Sequence, residues 1–136
     1  MTDFSDKVAH QARLSAEQLR QRADLNDALD VARPVDHSGV FPDLEGASAA
    51  CAELTSAGYL TTVSGEGEIL VEAQNISTVD PDAVRAFTGE VLAIFDRHGG
   101  EYDGWGAPVE SVLVPHPRQG SSRIRRALQG LLGPRQ

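Results

Sequence analysis

The chain has a single cysteine, Cys51, in 136 residues. It can form no intramolecular disulfide and has too few thiols for a structural zinc site, a count that suits reducing surroundings. It lacks any apolar run near the roughly 18 residues that a membrane-spanning helix needs. Its opening residues, MTDFSDKVAH, have neither the basic start nor the apolar stretch of a secretory signal. A cytoplasmic location is the expectation. The histidines His10, His37, His98 and His116 show no i, i+4 or His-x-His spacing suited to a metal, so neither metal nor cofactor is expected. No serine, cysteine or lysine stands in a motif that builds in a base and an orienting group. The run SGEGE also lacks the lysine and following helix of a phosphate-binding loop. These absences point away from an enzyme.

What is present describes a globular domain. A hydrophobic fraction of 40% and a charged fraction of 24% allow one core with two layers of secondary structure. The net charge of −8 is unevenly spread. From Pro117 to Gln136 there are five arginines (Arg118, Arg123, Arg125, Arg126, Arg135) and no acid, while the other 116 residues carry seven basic side chains against twenty acidic ones. An acidic body repels a phosphate backbone, whereas an arginine tail attracts one.

Hydrophobic periodicity supplies the elements. Phe4, Val8, Ala12, Ala16 and Leu19 form a narrow stripe that predicts an N-terminal helix, with a break near Ser15. The run PVDHSGVF alternates Val35, His37, Gly39 and Phe41 against Asp36, Ser38 and Val40, and reads as a strand. Asp43 caps a helix with a stripe of Leu44, Ala47, Cys51 and Leu54, which Gly58 stops. YLTTV and EILVEA flank SGEGE, whose glycines supply the positive φ of a tight hairpin. Asp80, Pro81 and Asp82 open a second amphipathic helix with Val84, Phe87, Val91, Ile94 and Phe95 on its apolar face, closed by His98 and Gly99.

The last candidate strand is GGEYDGWGAPVE, residues 99–110, which holds the one tryptophan. Asp103-Gly104 is a type I′ turn signal, but its arms are too short to stand alone as a hairpin. The element order calls for a fourth strand here, with Tyr102 and Trp105 on opposite faces if it is regular. The result is an α+β, ferredoxin-like βαββαβ sandwich: a four-stranded antiparallel sheet with two helices on one face. The expected organisation is an N-terminal helical segment (1–30), the sandwich (31–115) and a basic tail (116–136). In the tail, Ser121 or Ser122 caps a short helix whose stripe of Ile124, Leu128, Leu131 and Leu132 lies opposite Arg123 and Arg126.

HGGEYDGWG after an amphipathic helix, together with RPVDHSGVF, a helix and AGYLTTV, resembles the regulator of ribonuclease activity B family over roughly residues 15–112. The resemblance implies a ferredoxin-like, non-catalytic cytoplasmic protein that binds a ribonuclease E-type endoribonuclease and inhibits its cutting of RNA. It also implies that the EYDGWG run is the fourth strand. The tail departs from the pattern, since members look strongly acidic after the tryptophan segment.

The partner-binding candidates are Tyr102, Asp103 and Trp105 in the strand and Arg123, Arg125 and Arg126 in the tail. Trp105 has two readings, a core anchor or an exposed interface anchor. Asp103 suits a backbone-bonding role, His37 a hydrogen-bonded half-buried one, His98 a charge at a helix end, and Cys51 inert packing. Two further readings stand beside the ribonuclease one: an RNA-binding module using the arginine tail, and a small-ligand domain using an apolar pocket on the open sheet face.

Overall fold

A computed structural model describes residues 3–111. In chain order the elements are α1 (Phe4–Asp24), β1 (Arg33–Phe41), α2 (Leu44–Ser56), β2 (Leu60–Ser64), β3 (Ile69–Ser77), α3 (Pro81–Arg97) and β4 (Glu101–Gly106). Each helix begins where an aspartate carboxylate accepts a bond from a backbone N–H of its first turn: Asp3 from Asp6, Asp43 from Gly46 and Asp80 from Ala83. Such caps satisfy amide groups that have no partner inside the helix. The predicted break in α1 does not occur. Ser15 Oγ is engaged by Gln11 Nε2 at 3.0 Å and Trp105 Nε1 at 3.2 Å, so it does not compete for the helix backbone.

The strands form one sheet in the order β2-β3-β1-β4, with every neighbouring pair antiparallel. This α+β arrangement of a four-stranded sheet and three helices has an order that fits a ferredoxin-like fold. The β2–β3 hairpin turns through Gly65 (φ 108°) and Gly67 (φ 77°), the left-handed conformations that a side chain resists. Val35, His37 and Phe41 of β1 are buried toward the helices together with Ile69, Val71 and Ala73 of β3. α2 presents Ala47, Ala50 and Leu54 to this core, while Leu44 is exposed and Cys51 only half-buried. Its apolar face is therefore rotated from the predicted one, with alanines at the contact allowing a close approach.

β4 is a strand and not a hairpin, but it is not regular. Tyr102 pairs with Gly39 and Gly104 with Ser38, which leaves Asp103 as an extra residue in a bulge. Gly104 has φ 118° there. The extra residue resets the alternation, so Tyr102 and Trp105 both face the helices, contrary to the opposite-face expectation. Gly39 lies directly beneath this layer, where a Cβ would overlap the Phe95 ring and the Glu101 carbonyl.

Gly39→Ala is therefore expected to lower stability by about 1–3 kcal/mol through overpacking. Gly89→Ala, inside α3 where a Cβ meets nothing within 4 Å, is expected to raise it by about 0.5–1 kcal/mol through helix propensity. Urea unfolding of the two variants checks the contrast.

Candidate functional site

The β4 run is held from both ends of its aromatic pair. Trp105 is 6% exposed, meets Phe87 edge-on at 5.3 Å, and lies under the Arg22 guanidinium at 5.2 Å. Tyr102 packs edge-on against Phe95, and its hydroxyl is 3.0 Å from His37 Nδ1. On the other side of that ring, His37 Nε2 is 3.0 Å from Asn75 Oδ1, an acceptor, so Nε2 carries the proton and Nδ1 accepts from Tyr102. His37 is fully buried, not half-buried. Burial lowers its pKa to about 4, against smaller opposing effects of the Asn75 bond and the Asp36 charge. Burial likewise pushes the Tyr102 hydroxyl well above its ordinary value, so the hydrogen-bonded set of Tyr102, His37 and Asn75 is neutral in the fold.

A second buried group fastens the ends of three elements. Arg22 Nη1 is 2.9 Å from Asp27 Oδ2, and Arg33 Nη1 is 2.7 and 2.9 Å from the two Asp27 oxygens. All three side chains are buried. Backbone oxygens complete the set: Ala107 accepts from Arg22 Nη2 at 2.8 Å, and Pro108 from Arg33 Nη1 at 3.0 Å. Glu110 N–H donates to Asp27 Oδ1 at 3.1 Å. Burial draws the Arg22 pKa down, against the bond to Asp27. Sequence reading missed this cluster, because spacings of five and six residues belong to no periodic element. The one hint was that Arg33 shares the alternation of Val35 and His37.

The surface left by these contacts is the rim between α1 and β4. Gln18 Nε2 donates to the Trp105 carbonyl at 3.0 Å, and a cleft of about 390 Å³ runs beside it, lined by Leu14, Gln21, Leu25, Asp103, Trp105 and Val109. Of the strand candidates, Asp103 is exposed, Tyr102 part-exposed and Trp105 buried. Arg123, Arg125 and Arg126 lie outside the described residues, as do His116 and the predicted tail helix. His98 caps the C-terminal end of α3 and, with Arg97, faces Glu53, whose carboxyl is held low first by its bond from Arg97. Burial raises the Cys51 thiol, away from the reactive thiolate. Among the described residues, no group of three His, Cys, Asp or Glu is placed to hold a metal, and no helix is long and apolar enough to cross a membrane.

Fold and site together define an α+β sandwich whose aromatic edge strand is clamped under a long polar helix. A family model described as regulator of ribonuclease activity B, RraB, matches residues 13–107, and the chain belongs to that family. The match includes the Arg22, Asp27 and Arg33 cluster as well as all of β4. No curated protein matches the chain.

Asp27→Ala is expected to cost about 3–5 kcal/mol, because it strands two buried guanidiniums. Chemical denaturation at neutral pH measures the loss. His37 gives a pH dependence of known sign. Its folded pKa of about 4 lies below the ordinary histidine value of 6.5, so its contribution is complete above pH 6.5 and is lost as pH falls toward 4. On the order of 2 kcal/mol should disappear between pH 7 and 5, and the His37→Gln variant should lack that slope in the same titration.

Proposed function

We propose that this protein binds a ribonuclease E-type endoribonuclease and damps its cleavage of RNA by occupying protein surface, without chemistry of its own. The observation that carries this reading is the family match over residues 13–107, which spans the fold from within α1 to just past β4. Charge supports it. An enzyme that cuts RNA gathers phosphates with lysine and arginine, and a chain of net charge −8 complements such a surface. The α1–β4 rim is the contact surface in this reading: Leu14 and Leu25 are exposed apolar side chains there, with Asp103 beside them. Trp105 serves from behind, by fixing the strand that presents Asp103.

A direct RNA-binding reading rests on the arginines after Pro117 and on no described residue. The small-ligand reading calls for an apolar pocket on the open sheet face. Among the described residues, a depression on that face lined by Asp36, Leu60, Thr62, Glu72, Ala73 and Gln74 is about 190 Å³.

Adding the protein to a ribonuclease E-type enzyme and a single-stranded RNA substrate is expected to slow cleavage in a saturable manner. Leu14→Arg combined with Asp103→Arg should weaken inhibition at least tenfold, which corresponds to about 1.4 kcal/mol of binding. Unchanged cleavage at saturating protein would overturn the proposal.

A further inference from the structure

The sheet has two faces, and the described helices α2 and α3 cover one. Strand register places Pro34, Asp36, Ser38 and Val40 of β1 on the other face, opposite Ile76, Gln74, Glu72 and Leu70 of β3. β2 adds Leu60 and Thr62. Leu60 and Ile76 are 72% and 67% exposed, a cost in apolar surface that invites cover. Two carboxylates, Asp36 and Glu72, lie on this face, and among the described residues no lysine or arginine does, whereas Glu101 at the sheet edge lines the α1 cleft near Lys7.

We propose that the chain covers this face itself, with residues 121–132 lying across the strands as a third layer. Charge selects the occupant. From Pro117 onward the chain has five arginines and no acid, and Ile124, Leu128, Leu131 and Leu132 recur at helical spacing. The cleft beside the exposed apolar side chains of α1 is a poorer seat for it, since there Lys7 and Arg13 balance Asp6 and Glu101 and leave no net negative charge for the arginines.

Connectivity agrees. β4 ends at Gly106 opposite Asp36, and Ser111 bridges to Asp27, so the chain is delivered to the end of the sheet where β1 begins. Pro34, Ile76 and Leu60 lie at that same end. Four strands about 4.8 Å apart are roughly 14 Å wide. Residues 112–120 can reach up to about 30 Å when extended, and a twelve-residue helix is about 18 Å long, a match to the sheet's width. The apolar stripe then meets Leu60, Ile76 and Pro34, while the arginines approach Asp36 and Glu72. This reading does not depend on the identity of any partner.

The test uses the full chain with Cys51→Ser and Gln129→Cys, a nitroxide on the new thiol and amide spectra recorded across a dilution series. Loss of the Thr62, Gln74 and Ile76 amide signals, with those of Ala47 and Ala50 in α2 spared and no change on dilution, is expected. Recovery of those signals in the same chain carrying Arg123→Ser, Arg125→Ser and Arg126→Ser is expected as well. Retention of all signals, loss centred on the α1–β4 cleft, or loss that fades on dilution and so reports a second copy would each overturn the proposal.

Discussion

One carboxylate holds this fold closed. Asp27 lies in the connection between α1 and β1 and accepts both Arg22, from the last turn of the helix, and Arg33, from the first residue of the strand. A buried aspartate between two arginines leaves an excess positive charge, which the carbonyl oxygens of Ala107 and Pro108 partly neutralise. Those carbonyls belong to the segment that follows β4, so the single anion fixes where the helix ends, where the central strand starts and where the edge strand finishes. The same Arg22 guanidinium lies over Trp105, which links the ionic cluster to the aromatic layer.

Around that clamp, the core is built in a way that leaves polar groups satisfied without charge. His37 stands in the centre of the sheet with Tyr59 and Phe87 edge-on to its ring, and it spends both nitrogens on neutral partners, Tyr102 and Asn75. Tyr102 can reach it only because the bulge at Asp103 turns the strand by one residue. The bulge and the buried histidine are therefore one device: the extra residue aims the hydroxyl and the hydroxyl fixes the tautomer.

Local chemistry carried most of the element plan in the sequence. Asp43, Asp80 and Pro81 announced helix starts, the glycines of SGEGE announced the hairpin, and β1 alternated cleanly, because each signal acts within a few residues. What escaped reading depends on residues far apart in the chain. The bulge exists only in the pairing of β4 with β1, the continuity of α1 through Ser15 depends on Trp105 ninety residues away, and Asp27 acquires meaning only when residues 107–110 return to it. The candidate site shared that limit. Tyr102, Asp103 and Trp105 were recognisable as a distinctive run, but which of the three side chains meets solvent was decided by the bulge.

The attachment of α1 has a thermodynamic corollary. Its three buried side chains, Gln11, Ser15 and Arg22, are all polar, while Phe4, Val8 and Leu14 of its apolar residues are exposed. Hydrogen bonds from Gln18 to the Trp105 carbonyl and from the Trp105 ring to Ser15, with the Lys7–Asp96 ion pair, keep it in place more than buried hydrocarbon does. Apolar hydration dominates the heat capacity of unfolding, so a helix fastened in this way can detach as a sub-global opening with a heat-capacity change that is small for its length. Such an opening uncovers the rear of Trp105 and the groove of α3 that Val84 and Leu92 line.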